Sequence, residues 1–129
     1  NLSAVCRAVV GDARPIHVLC AGTRGEITLD DCLVAGAIVD RLSAARALSE
    51  SDEGRLCLEA WRSACVQPGG VLRSLRLSRG GRNLERLGFD ADVEYCAQID
   101  LHDLVPEYDP ATGRATARGV GAGSERVKG

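Results

Sequence analysis

The sequence predicts an α/β protein that is rich in helix, with few strands packed against the helices. Three observations carry that prediction. The run "IHVLCAG" (16–22) is short, nearly unbroken in its apolar character and closed by a glycine, which suits a strand buried on both faces. After Thr28, apolar residues recur at helical spacing over a surface wide enough to lie on a sheet. The rest of the chain repeats shorter helical patterns between Gly and Pro breaks.

Taken in order, "NLSAVCRAVV" sets Leu2, Val5, Cys6 and Val9 at helical spacing, with Asn1 able to cap. "GDARP" ends that helix, and the strand 16–22 follows. Thr28 is the expected N-cap of the next helix, "LDDCLVAGAIVDRLSAARAL" (29–48), with Asp31 standing where a capping box carries Glu. Leu29, Cys32, Ala35, Gly36, Val39 and Leu42 form its stripe, widened by Leu33, Val34, Ala37 and Ile38. A mid-helix glycine costs about 1 kcal/mol relative to Ala, so Gly36 implies a close packing partner.

"SESDEG" reads as a polar connector able to cap "RLCLEAWRSACV" (55–66), and "QPGG" stops that helix. "VLRSLRLSRGGRNLERLG" predicts two short helices interrupted at "SRGG", with Gly88 as a C-terminal stop. "DADVEYCAQI" gives one or two more helical turns. "DLVPEYDPATGRATAR" predicts a strand, a "DPATG" turn and a return strand. The Gly-rich end "GVGAGSERVKG" offers nothing to pack and is expected not to order by itself.

Composition narrows the function classes. The 129 residues suit one domain, and 45% apolar with 26% charged residues is the balance of a soluble globular protein. A net charge of −2 with no basic block, and aromatics at 3%, exclude a nucleic-acid surface. No apolar run reaches the ~18 residues of a membrane helix, and no signal peptide is visible. The six cysteines show neither C-x-x-C nor zinc-type spacing, so reduced core thiols in a cytoplasmic protein are expected. A redox function is disfavoured for the same reason.

Two constellations hold candidate chemistry. In "CAGTRGEITLDD", a strand end leads through Gly22, Thr23 and Gly25 into a helix start, the place where open α/β sheets gather ligands. Bare amides there suit an anion, and Glu26, Asp30 and Asp31 supply hard oxygens that suit Mg²⁺ better than zinc. Capping alone also selects acids in a first helical turn, and Cys20 reads either as a nucleophile or, more simply, as a packed thiol. In "SRGGRNLERLG", Ser78, Gly81 and Arg82 would suit a phosphate or sulfonate; an ordinary cap with exposed arginines is the plainer reading. His17 and His102 stand alone in sequence, and Asp100 and Asp103 flank His102.

The ordered series "NLSAV", "VLCAGTRGEITLDDCLVAGAIVDRL", "SRGGRNLERLGFDADVEYCAQID" and "LVP" resembles the 2-phosphosulfolactate phosphatase family, the ComB-like proteins, over residues 1–107. The resemblance implies a ComB-like α/β fold, of which this chain is a helix-rich C-terminal portion. Residues 1–107 would be the C-terminal half of the phosphatase domain, and 108–129 a terminal hairpin or strand with a flexible tail. It also implies an Mg²⁺-dependent phosphoric monoester hydrolase that converts 2-phospho-3-sulfolactate to 3-sulfolactate and phosphate, a reaction of coenzyme M biosynthesis type.

On that reading Asp31 and Cys20 are the catalytic candidates and Asp30 and Asp31 the metal ligands. Gly22, Thr23, Gly25, Ser78, Gly81 and Arg82 bind substrate, with Arg82 or a neighbour on the sulfonate or carboxylate. Expected partners are the small phosphate ester, the N-terminal half of the same protein and a second copy in a homodimer. Asp30 stands where relatives usually carry Glu, a shorter reach. The rival reading is a non-catalytic piece that completes a sheet or a dimer interface of a larger enzyme.

Overall fold

A computed structural model describes residues 1–45 and 51–119. Six helices precede one hairpin: α1 (Leu2–Val9), α2 (Leu29–Ser43), α3 (Asp52–Val66), α4 (Gly70–Leu77), α5 (Arg79–Arg86), α6 (Asp90–Cys96), β1 (Leu104–Asp109) and β2 (Arg114–Gly119). The strands pair antiparallel, from Leu104 opposite Gly119 to Asp109 opposite Arg114. Asp109 holds the turn by accepting from the Ala111 amide and the Thr112 hydroxyl, and Gly113 closes it at φ +67°. The result is a helix-rich α/β chain. The expected residues 46–48 of the second helix and the Gly-rich end from residue 120 onward lie outside the described residues.

Helix α2 is the centre of the packing. It lies against α3 along its length and also touches α1, α4 and α5. Its buried face is Leu33, Ala35, Gly36, Ala37 and Leu42. A Cβ at Gly36 would stand 2.0 Å from the Cys57 carbonyl oxygen and 2.8 Å from the Trp61 Cβ. The glycine therefore does what its position predicts, but the partner is a helix rather than a sheet. Small residues recur through the core, with Ala4 and Ala64 buried beside Leu58, Val93 and Val105.

The predicted strand 16–22 does not form. The segment takes no regular secondary structure, and no residue from 16 to 21 makes a backbone hydrogen bond among the described residues. A strand exists only with a neighbour to share its ladder, and the one described sheet is the distant hairpin. Leu19 is 96% exposed.

The caps follow the sequence with three corrections. Asn1 is the N-cap of α1 but makes no side-chain cap bond. Asp100 serves instead, accepting from the Ser3 amide at 2.7 Å and from its hydroxyl; these bonds hold the Asp100 carboxyl below the usual range. Helix α3 begins at Asp52, three residues before the apolar pattern, because Ser51 Oγ accepts from the Gly54 amide at 3.2 Å. The break between α4 and α5 is the single residue Ser78, which ends one helix and caps the next, so Arg79, Gly80 and Gly81 are already helical. Gly88 stops α5 at φ +80° as expected.

Candidate active site

The glycine segment builds a tight turn. Thr23 and Glu26 exchange backbone hydrogen bonds of 3.0 and 3.1 Å, and the two residues between them, Arg24 and Gly25, both have positive φ. That is the backbone of a two-residue hairpin turn of type I′. Gly22 is needed just before it: its φ is +67°, and a Cβ there would lie 2.7 Å from the Glu26 carbonyl oxygen. The turn is clamped to α2 by Asp31, whose Oδ2 accepts from the Gly22 amide at 2.7 Å and the Thr28 hydroxyl at 2.8 Å. Thr28 is thus the N-cap by position while its side chain donates to Asp31 rather than accepting from the helix. Among the described residues, the amides of Arg24 and Gly25 make no hydrogen bond.

Adjacent acids have separate surroundings. Asp31 faces the turn, whereas Asp30 packs against the start of α5, with its Oδ2 2.8 Å from where a Gly80 Cβ would be. Its Oδ1 is buried without a hydrogen-bond partner. The carboxylate sits at the positive end of the α5 dipole, which favours it there. Arg79, the first residue of α5, forms an ion pair with Glu26 on the turn. Two constellations more than fifty residues apart in sequence therefore meet at one corner.

The remaining candidates are distributed unevenly. Ser78 is buried, and its Oγ accepts from the Gly81 amide at 2.9 Å. Gly81 is buried against the Leu75 carbonyl, and the Arg82 guanidinium donates to the Leu77 carbonyl. Arg79 is the residue the sequence reading passed over. Reading Ser78 as an N-cap with Gly81 three residues on would have placed Arg79 at the first helical position. His102 bonds Tyr95 at 2.7 Å and Asp103 pairs with Arg7, both away from this corner.

An open groove of about 980 Å³ runs from the turn along α2 to the start of α3. Asp31, Cys20, Cys32 and Cys57 line it with apolar residues of α2. The Cys20 thiol donates to the Asp31 carbonyl at 3.8 Å, and burial, the Asp31 carboxylate and Cys32 push it above the ordinary range. It is held as a thiol, a weak nucleophile at neutral pH.

Burial, then its hydrogen bond with Cys32, pushes Cys57 up to about 11 from 9.0. The folded state thus binds this proton more tightly than the unfolded state. Its contribution to stability is complete below pH 9 and is lost as pH rises through about 11. Urea unfolding at pH 8 and pH 10.5 is expected to show a fall in stability that Cys57→Ser reduces; an equal fall in the variant rejects the assignment.

A clamped glycine turn and an acidic corner thus meet at a helix N-terminus on a helix-rich α/β frame. The model of the 2-phosphosulpholactate phosphatase family matches residues 1–110. The chain belongs to that family. It is 38% identical over 111 residues to a "probable 2-phosphosulfolactate phosphatase" of Deinococcus radiodurans, covering 85% of this chain and 45% of that protein. A Symbiobacterium thermophilum protein of the same name is 31% identical over 84% of the chain and 46% of its own length. For one from Caldanaerobacter subterraneus the figures are 29%, 83% and 43%. The chain spans about half the length of these curated relatives.

Proposed function

We propose that the chain carries part of the active site of a phosphoric monoester hydrolase that converts 2-phospho-3-sulfolactate to 3-sulfolactate and phosphate, a cytoplasmic reaction of coenzyme M biosynthesis type. The observation that carries this reading is the junction of the turn with α5, where Arg79 holds Glu26 and Asp30 keeps an unpartnered oxygen. The name shared by the relatives supports the substrate.

Each group has a role there. The free amides of Arg24 and Gly25 donate to phosphate oxygens, and Asp31 positions them by holding the turn closed. Arg79, paired with Glu26 on the turn, supplies a guanidinium for the sulfonate or carboxylate, with Arg82 one helical turn along α5.

No group of three metal-binding side chains occurs among the described residues. Mg²⁺ is commonly held by one or two carboxylates together with water and substrate phosphate, and Asp30 offers one hard oxygen with no competing donor. The donor chemistry fits, with Asp30 as the ligand, while Asp31 Oδ2 is taken up by the Gly22 amide and the Thr28 hydroxyl. When bound, Mg²⁺ would neutralise phosphate oxygens and stabilise charge during displacement of the ester oxygen.

Phosphate release from 2-phospho-3-sulfolactate, measured on the protein at its relatives' full length, is expected to require Mg²⁺ and to stop in EDTA; equal rates reject the metal. Asp30→Asn is expected to raise the Mg²⁺ dissociation constant about tenfold in calorimetry, a readout independent of turnover.

The exposure of residues 17–21 favours a second reading for the isolated chain: a piece without activity until the other half of the protein joins it. Hydrolysis of a phosphomonoester by the 129 residues alone decides against that reading.

A further inference from the structure

We infer that residues 16–21 are an interior β-strand of the complete protein, paired along both edges by strands from the rest of the polypeptide and covered on the Leu19 side by a second apolar layer. This rests on the reading that the chain works as part of a longer enzyme, and it names the surface through which the parts join.

The backbone supplies the first argument. Six consecutive residues outside any helix or turn are apolar apart from His17, and none of them makes a backbone hydrogen bond among the described residues. Water can satisfy those groups, but it leaves the apolar side chains without cover. Such a segment is a row of open ladder positions.

The side chains supply the second. Ile16, His17, Val18, Cys20 and Ala21 all border the groove that Ala35 and Ile38 of α2 also line. Leu19 lies outside the groove and is 96% exposed. Strand geometry sends adjacent residues to opposite faces, and the adjacent pair Val18 and Leu19 are 41% and 96% exposed, so neither face has a complete apolar layer. A strand apolar on both faces belongs inside a covered sheet, not at a solvent boundary.

Length selects the occupant. The relatives are about twice as long as this chain, which leaves enough polypeptide for several strands and their helices. A second copy related by a two-fold axis would pair one edge of the segment with its own counterpart, leaving the other edge and Leu19 open. The rest of the same polypeptide can fill all three positions.

Amide hydrogen exchange tests this directly. In the 129-residue chain, the amides of residues 16–21 are expected to exchange without protection. In the protein at its relatives' length they are expected to be slowed by about 10³-fold or more. Leu19→Asp is expected to lower the melting temperature of the long protein by several degrees and leave the 129-residue chain unmoved. Unprotected amides in the long protein overturn the inference. So does equal protection in the short chain accompanied by a doubled mass, which assigns the groove to a second copy. If protection appears in a long protein that hydrolyses no phosphate ester, the phosphatase reading fails and the strand stands.

Discussion

Gly36→Ala is expected to cost about 3 kcal/mol of stability, the upper part of what overpacking a core usually costs. The sign is the informative part. In a solvent-facing helix the same change stabilises by about 1 kcal/mol, because Ala gives up less backbone entropy on folding. Here the new Cβ begins 2.0 Å from the Cys57 carbonyl oxygen, and side-chain Cβ atoms essentially never approach other heavy atoms below 3.0 Å. Helix α3 must retreat by the difference, about 1 Å, along the most extensive helix contact among the described residues. The obstacle is backbone, so no rotamer change relieves it.

Gly54, near the start of α3, supplies the control, since a Cβ there meets only Ser51 Oγ at 3.7 Å. Urea unfolding of the two variants beside the parent measures the contrast. A Gly36→Ala midpoint at or above that of the parent shows that the α2–α3 crossing is looser than described.

That glycine shows which parts of the fold the sequence makes readable. Helical periodicity, with Gly and Pro as punctuation, locates α2 through α6 and the hairpin, because those signals are local. Gly36 announces a close approach, but periodicity cannot say whether a sheet or a helix makes it. The segment 16–22 shows the opposite limit. Its composition is that of a buried strand, while ladder pairing depends on a neighbour that the described residues do not supply.

The site divides in the same way. The turn glycines, Thr28 and the acids could be read directly, since a positive φ and a helix start have local signatures. The pairing of Arg79 with Glu26 could not, because it depends on how α4 and α5 turn back toward α2. The acidic pair Asp100 and Asp103 has a structural role that their flanking of His102 conceals. Both hold α1, through Ser3 and Arg7.

Gly81→Ala is expected to be as damaging as the change at Gly36, and to alter the candidate site as well. Helices α4 and α5 are joined through Ser78 alone, whose amide donates to the carbonyls of Ser74 and Leu75 and whose hydroxyl accepts from Gly81. The corner is so tight that a Cβ at Gly81 would stand 1.9 Å from the Leu75 carbonyl oxygen and 3.0 Å from the Arg76 Cα. Both are backbone atoms, so the corner itself must open, at a cost of about 3 kcal/mol.

Opening it moves the first turn of α5, which carries Arg79 to Glu26 and sets Gly80 against Asp30. Gly80→Ala makes the comparison, because the three atoms nearest its new Cβ all belong to the Asp30 carboxylate, the closest at 2.8 Å, and a carboxylate can rotate away. Gly80→Ala should therefore leave the urea midpoint nearly unchanged while lowering Mg²⁺ affinity through Asp30. Gly81→Ala should lower both. If Gly81→Ala keeps the parent's midpoint and its Mg²⁺ affinity, the corner between α4 and α5 is not what holds the two halves of the site together.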